Sequence, residues 1–419
     1  MRVSGSLRVP GDKSISHRAL IFGALGTGES RVTRILQSAD VHSTAGVLRS
    51  LGVAIPQLSD DFVVRGLGRS SLRQPTEDLD CGNSGTTTRL MAGVVAASKL
   101  TATFVGDASL SKRPMRRVAR PLEAMGAQFE LPENGGLPMT ITGGSLHDIE
   151  WNSEVASAQI KSAILLAALV SGVRAKVSEP VRSRDHTERM LSARGVALAV
   201  DETTVTIEAD SAFETLDTEV PGDPSSAAFF AGLAALASSG SLRLLGVCVN
   251  PTRVGFLERI SSMGARVDFE NARVDGGESI ADVVVSPAQL KGTTVVEADV
   301  PAMVDELPLL ACLASRAEGE TVITGANELR VKESDRITAV VSNLRAIGAT
   351  AEELPDGMRI VGSDRRLAGK VVTHGDHRLA MAFGVLGAVD GNAIEIDDRD
   401  CVSVSYPNFW TDLARVTAA

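Results

Sequence analysis

Five glycines set the frame of this chain. At Leu51-Gly52-Val53, Met125-Gly126-Ala127, Arg194-Gly195-Val196, Met263-Gly264-Ala265 and Ile347-Gly348-Ala349, an amphipathic helical stretch ends in glycine and a short extended segment follows. A glycine there suits a helix C-cap in the left-handed region, which costs any other residue about 1 kcal/mol. The small or β-branched residues after it suit a strand. Successive glycines lie 74, 69, 69 and 84 residues apart (126−52, 195−126, 264−195, 348−264). Spacing this even suggests a repeated α/β unit larger than a solenoid repeat. Helix-glycine-strand junctions also occur in any α/β protein, so the pattern alone leaves true repetition open. A doubly wound nucleotide fold is disfavoured, because no strand-like segment runs into GxGxxG with an acidic residue at the right distance.

A chain of 419 residues is too long for one ordinary core, and its 44% apolar content is enough for two. Aromatic residues make up only 3%, with Trp151, Trp410 and Tyr406 the sole Trp and Tyr residues, so small aliphatic side chains do the packing. So few rings, with a net charge of −10, argue against nucleic acid and against a general polyanion surface. Cys81, Cys248, Cys312 and Cys401 are widely separated and form no CxxC pair, so they read as buried thiols rather than a zinc site or a disulfide framework. The amino-terminal segment has no apolar stretch of the secretory kind. The longest apolar run, near Ala227–Ala237, is short of the roughly 18 to 20 residues a bilayer demands. A cytoplasmic protein that engages no membrane is the expectation.

Glycine-rich junctions precede helix-like stretches at Pro10–Ser14, Cys81–Thr86 and Pro221–Ser226. Helix N-termini carry unpaired N–H groups and positive partial charge, which suits phosphates and carboxylates. In PGDKSISHR, a helix starting near Ser14 puts Lys13, Ser14 and Arg18 on one face for an anion. It lacks the upstream glycine of a Walker A loop and has Asp12 where the last glycine belongs, so a nucleotide-hydrolysing P-loop is rejected. In CGNSGTTTRL, Gly85 allows close backbone approach and Arg89 follows one turn later. Lys112, Arg113, Arg116, Arg117 and Arg120 crowd the next segment; Arg113 and Arg116 fit one helical face and others read as surface charge. The Asp223 junction has no basic neighbour in sequence and reads as structural or as a ligand cap.

Ser157-Ala158-Gln159 opens another helix and suits a polyhydroxylated ligand, with Lys161 adding charge. Arg182–Arg189 mixes signs and reads at least as readily as a salt-bridged surface helix as it does as a source of a ligand-binding residue. Acids enter at Asp305-Glu306, ahead of a very apolar helix, and at Glu333 and Asp335 beside Lys332 and Arg336. A carboxylate among cations has a lowered pKa unless burial or a second carboxylate opposes the shift. His374-Gly375-Asp376-His377-Arg378 puts an arginine at one more helix start, and no third ligand with zinc spacing accompanies its histidines.

The ordered set PGDKSISHR, GNSGTTTRL, GDASLSKRP, VASAQIKSA, RDHTERM, PGDPSS, NPTR, VDELP, LRVKESDR, GDHR and SYPNF resembles the EPSP synthase family of enolpyruvyl transferases along essentially the whole chain. The resemblance implies an α/β fold of two domains, an inside-out barrel with three βαβαββ units around a pseudo-threefold axis in each. The first domain would comprise 1–12 plus 229–419 and the inserted second domain 13–228, with the active site in the cleft. The implied reaction moves the enolpyruvyl group of phosphoenolpyruvate to the 5-hydroxyl of 3-phosphoshikimate by addition and elimination, with no cofactor and no metal.

By resemblance, phosphoenolpyruvate would be held by Lys13, Gly85, Arg113, Gln159, Arg336 and Arg378. The same reasoning gives 3-phosphoshikimate to Lys13, Ser14, Arg18, Ser157, Ala158 through its backbone, Gln159, Asp305 and Lys332. Asp305 would act as base toward the 5-hydroxyl, and Glu333 with Lys13 would handle the methylene proton. Two positions depart from many relatives: Ala158 stands for a serine, and Val404 for a lysine. Glyphosate is the implied inhibitor, although PGDKSISHR, GDASLSKRP and SRDHTERM are worded like a less sensitive bacterial branch, and a monomer is implied. The rivals are a transferase acting on a UDP-linked amino sugar, whose relatives carry a cysteine in the loop matching Ser109–Arg113, and a non-catalytic sugar-phosphate binding module.

Overall fold

The computed structural model describes residues 1–418. The chain divides into two compact units, one of Met1–Pro10, Gly222–Arg273 and Ser279–Ala419, the other of Gly11–Pro221 with Val274–Glu278. The resemblance implies a second passage at 228/229, and the division into compact units falls at 221/222. The reason is the helix Pro224–Ala235. All twelve of its residues are buried, in a core that includes Val3, Leu7, Val9 and Leu309, so the whole helix belongs to the unit of the amino terminus. A helix apolar on every face is stable only inside.

Four sheets share one strand order, a parallel pair followed by two antiparallel neighbours. In the Gly11–Pro221 unit, Leu79–Asp80 runs parallel to Thr101–Val105, which pairs antiparallel with Met139–Thr142 and so with Gln128–Glu130. Ile149–Asn152, Ala175–Ser178, Thr204–Ile207 and Leu198–Asp201 repeat the order. In the other unit it recurs in Thr294–Val295, Glu320–Ile323, Gly357–Val361 and Thr350–Leu354. The fourth sheet follows suit with Ser6–Leu7, Leu242–Cys248, Glu278–Ser286 and Arg266–Asp275. A three-stranded sheet (Thr218–Glu219, Thr27–Thr33, Asp61–Leu67) and a parallel pair (Ala368–Val371, Ala393–Ile396) are shortened versions.

The five glycines behave as their spacing implies. Gly52, Gly126, Gly195, Gly264 and Gly348 all take positive φ, between +81° and +116°. In each case the glycine N–H bonds the carbonyl three residues back and the next N–H bonds the carbonyl five back, as in Gly52→Arg49 and Val53→Leu48. This is the Schellman closure, which satisfies carbonyls that a helix end otherwise strands. It terminates the helices Ala39–Ser50, Arg116–Ala124, His186–Ser192, Gly255–Ser262 and Arg336–Ala346. Strands begin soon after four of them, and after Gly52 a single bridge, Ala54 to Arg65, stands in.

Among the described residues, six helix starts are closed by a side chain. Asp12, Ser84 and Ser157 cap Lys13–Leu25, Gly85–Ala96 and Ala158–Ser171 in one unit. Asp223, Asp335 and Asp376 cap Pro224–Ala235, Arg336–Ala346 and His377–Gly387 in the other. Gly85–Ala96 lies against Ala158–Ser171 so closely that a Cβ on Gly93 would meet the carbonyl oxygen of Ala163 at 2.1 Å. Only glycine permits that approach, and it brings two capped helices side by side. No helix among the described residues is long and apolar enough to cross a membrane. Cys81, Cys248 and Cys312 are buried as expected, whereas Cys401, at the start of a surface turn, is only partly covered.

Candidate active site

Caps place most of the candidate site residues, because a capped start orders the side chains of the first helical turn. Lys13 and Ser14 follow Asp12, Gly85 follows Ser84, Ala158 and Gln159 follow Ser157, Arg336 follows Asp335, and Arg378 comes two residues after Asp376. The first five of these belong to the Gly11–Pro221 unit and the two arginines to the other.

In the Gly11–Pro221 unit, Lys13 forms an ion pair with Asp40, from the first turn of the helix Ala39–Ser50. Burial pushes the Asp40 carboxyl up, but Lys13, with His17 and Arg113 adding to it, holds it below its ordinary range. Arg113 donates to Asn83 at 2.9 Å. A Cβ on Gly85 would lie 3.5 Å from Nη1 of Arg113 and 3.0 Å from Nη1 of Arg89. Arg89 in turn donates to Oε1 of Gln159 at 2.6 Å, and Nε2 of Gln159 donates to Thr86 at 3.0 Å, which fixes the amide. Burial, then Arg113 and Arg117, push the Arg89 pKa down to about 10, a sign of crowded cations in want of an anion.

Arg18 is almost wholly buried, and its guanidinium bonds only neutral oxygens: Thr187 at 2.7 Å, Ser162 at 2.8 Å and the main chain of Ser14 at 3.0 Å. Burial pushes its pKa down to about 10. A buried cation held by hydroxyls is a ready partner for a dianion. Ser157 donates its backbone N–H to Glu179 at 2.8 Å, while its side chain accepts from Ile160. The first-turn N–H groups of Ala158 and Gln159 thus open the helix at an oriented position.

The other unit gathers three cations around one carboxylate. Asp305 has Oδ1 3.6 Å from Nη1 of Arg336 and 4.0 Å from Nζ of Lys332, and Oδ2 3.8 Å from Nη2 of Arg378. Arg336 is sealed from solvent. Its Nε bonds Oδ2 of Asp376 at 2.8 Å and its Nη2 bonds Glu333 at 2.7 Å, while Nη1 is buried with no hydrogen-bond partner. Leaving such a donor unmade is expensive in a core. Desolvation pushes the Glu333 carboxyl up, but Arg336, a backbone hydrogen bond and His377 outweigh it and hold it below its usual range. Burial pushes the His377 imidazole down to about 4, so it is neutral here.

Four expectations are corrected. Lys161 adds no charge for a ligand: it is buried, 2.8 Å from both Glu179 and Glu188. Arg182–Arg189 is salt-bridged as expected, Asp185 pairing with Arg182 at 2.7 Å and Arg189 at 2.9 Å, but it is not a surface helix, since His186, Thr187 and Glu188 are buried, with His186 bonded to Glu278 at 2.7 Å. Arg113 and Arg116 share no helical face, because Arg113 has extended backbone ahead of the helix Arg116–Ala124. Asp223 does have a cation, Arg253, at 3.5 Å. Asp40 and Asn83 hold Lys13 and Arg113; an acid in the first turn of Ala39–Ser50 is the only sequence signal for Asp40, and nothing in sequence pairs it with Lys13. Val404, where many relatives have lysine, is 48% exposed in a short turn.

The sequence profile described as EPSP synthase (3-phosphoshikimate 1-carboxyvinyltransferase) matches residues 1–413. A 3-phosphoshikimate 1-carboxyvinyltransferase of Sulfurihydrogenibium sp. is 48% identical over 421 aligned residues, 99% of this chain and 98% of that protein. Another, from Alkalilimnicola ehrlichii, is 48% identical over 97% of this chain and 91% of its own length. The solved EPSP synthase of Acinetobacter baumannii superposes with a TM-score of 0.91 at 41% identity, covering 99% of this chain and 95% of that one.

Proposed function

The chain belongs to the EPSP synthase family and is a shikimate-pathway enzyme that transfers the enolpyruvyl group of phosphoenolpyruvate to 3-phosphoshikimate, and from that premise we propose how its residues divide the work. Phosphoenolpyruvate is held by Lys13, Gly85, Arg113, Gln159, Arg336 and Arg378. Lys13, Ser14, Arg18, Ser157, the backbone of Ala158, Gln159, Asp305 and Lys332 hold 3-phosphoshikimate. We read the two units as the two domains of the family. The strand order shared by four sheets supports reading each unit as βαβαββ repeats around a threefold axis. We also read the protein as a cytoplasmic monomer, on the strength of the resemblance.

The chemistry is addition followed by elimination. A proton adds to the methylene carbon of phosphoenolpyruvate, and C2 gains oxocarbenium character. The 5-hydroxyl attacks C2 as Asp305 takes its proton, giving a tetrahedral ketal phosphate. Loss of phosphate from C2 and of a proton from the methyl carbon restores the double bond. Arg336 and its neighbours keep Glu333 ionised in the free enzyme, which supports Glu333 as the group that receives a proton and Lys13 as the one that gives it. Preorganised cations stabilise the charge that builds on phosphate.

One observation carries the assignment: Arg336, sealed in the core, keeps Nη1 without a hydrogen bond beside Asp305. An anionic substrate oxygen completes it. Arg336→Lys removes the planar fork but keeps the charge. In a phosphate-release assay its KM for phosphoenolpyruvate should rise by about tenfold or more. An unchanged KM would take Arg336 out of the site.

A further inference from the structure

Two motifs remain outside this account, Pro221–Ser226 and Asn250–Arg253, and the fold ties them to a substrate arginine. Arg253 lies 3.5 Å from Asp223, and its Nη2 donates to Oγ of Ser225 at 3.1 Å. The Ser225 hydroxyl, accepting on that side, donates to Oε1 of Glu306 in a short hydrogen bond. The same Oε1 lies 3.8 Å from Nη1 of Arg378, which itself donates to the main-chain oxygen of Asp305 at 3.1 Å. Arg253, Ser225 and Glu306 are each at least 96% buried. Every polar step in the chain Arg253–Ser225–Glu306 has one donor and one acceptor, so the carboxylate is fixed in place before any substrate arrives.

We propose that Glu306 is a positioning residue for Arg378. At 3.8 Å it is too far to take an N–H of Arg378 as a hydrogen bond, yet close enough to hold the guanidinium by charge. Glu306 therefore orients Arg378 without taking one of its donors. Arg253, acting through Ser225, offsets the charge of Glu306, which would otherwise be a costly buried anion. The short distance in sequence between Asp305 and Glu306 makes one turn serve two purposes: Asp305 presents its carboxylate and its carbonyl to Arg378, and Glu306 supports the same arginine from within the core.

This inference rests on the reading of Arg378 as a ligand of phosphoenolpyruvate, and a double-mutant cycle separates the two. Steady-state phosphate release is measured for the unmodified enzyme, Glu306→Gln, Arg378→Lys and the double variant. Glu306→Gln should raise the KM for phosphoenolpyruvate roughly 10- to 100-fold, with the KM for 3-phosphoshikimate within about twofold. In the Arg378→Lys background the same change should add less than about threefold, because the arginine it supports is gone. If Glu306→Gln fails to fold, Ser225→Ala, which unpins the carboxylate, takes its place under the same criterion. Effects that multiply in the double variant, or a Glu306→Gln enzyme whose KM for phosphoenolpyruvate is unchanged, would overturn the proposal while leaving Arg378 in the site. An Arg378→Lys enzyme with unaltered affinity for phosphoenolpyruvate would overturn both.

Discussion

Arg336 and Asp376 form a hydrogen-bonded ion pair with Nε 2.8 Å from Oδ2, and neither side chain is more than 1% exposed. Asp376 also caps the helix that carries Arg378, accepting from its N–H at 2.9 Å. One carboxylate therefore sets the position of two of the site's arginines.

Asp376→Asn should lower stability at neutral pH by about 3 to 5 kcal/mol, the usual result of breaking a buried pair from one side. The sign of its pH dependence follows from the shift. Burial pushes the Asp376 carboxyl up, but Arg336 holds it below its unfolded value. Its contribution is thus full above the unfolded pKa of about 3.9 and is lost as pH falls through the lower folded value. Denaturant unfolding from pH 7 to pH 3 should show the two proteins converging toward the acid end. A gap that stays constant with pH would show that the loss comes from packing rather than charge.

Lys13→Met tests the other unit. The Lys13–Asp40 pair is half open to solvent, with the lysine 39% exposed, so its loss should cost about 1 kcal/mol of stability or less. Turnover should fall by about 2 to 4 kcal/mol of transition-state stabilisation. Phosphate release close to normal would make Lys13 a surface charge.

Glu333→Gln keeps the shape and removes the charge. The rate should drop by roughly 100-fold or more while 3-phosphoshikimate still binds. Because Arg336 outweighs burial and holds the Glu333 carboxyl below its ordinary range, the group stays ionised in the free enzyme through that range. Any acid limb of kcat/KM owed to Glu333 lies below that, and it should vanish in the variant. Calorimetry that found 3-phosphoshikimate binding abolished together with the rate would make Glu333 an organiser of the arginines instead.

Gly85→Ala should separate inhibitor from substrate. Gly85 begins a helix with ordinary negative φ, so alanine carries no backbone strain there. Its methyl group would press on the side-chain end of Arg89 at 3.0 Å and make ordinary contact with that of Arg113 at 3.5 Å, and it would meet no main chain. Glyphosate, longer than phosphoenolpyruvate, should weaken by one to two orders of magnitude, matching an overpacking cost of about 1 to 3 kcal/mol. The unmodified enzyme, which retains the glycine, should be at least partly sensitive. Inhibition constants competitive with phosphoenolpyruvate decide it, and equal losses for both ligands would reject discrimination by length.

What the sequence made legible was local. The Schellman glycines could be found because a positive φ demands a particular residue at a particular place, and the capped starts because Asp and Ser precede them. The partners of the charged residues were not legible. Asp40 for Lys13, Glu179 for Lys161, Arg253 for Asp223 and Glu306 for Arg378 are contacts between chain segments that no period or cap connects. The division of the units at 221/222 was not legible for the same reason: the burial of Pro224–Ala235 depends on strands from the amino terminus, more than 200 residues away. Lys161 shows the cost of reading charge without burial, since a lysine at a helix start reads as a ligand group until two glutamates are found around it.

The central claim is that Lys13 and Arg336 both serve the transfer from phosphoenolpyruvate to 3-phosphoshikimate. Its most direct test is the stoichiometry of phosphate release from phosphoenolpyruvate in the presence and absence of 3-phosphoshikimate, for the unmodified enzyme, Lys13→Met and Arg336→Lys. The account predicts one phosphate per enol ether formed, none from phosphoenolpyruvate alone, and a loss of at least about tenfold in kcat/KM from either substitution. Phosphate released without 3-phosphoshikimate, or full activity in either variant, would contradict it.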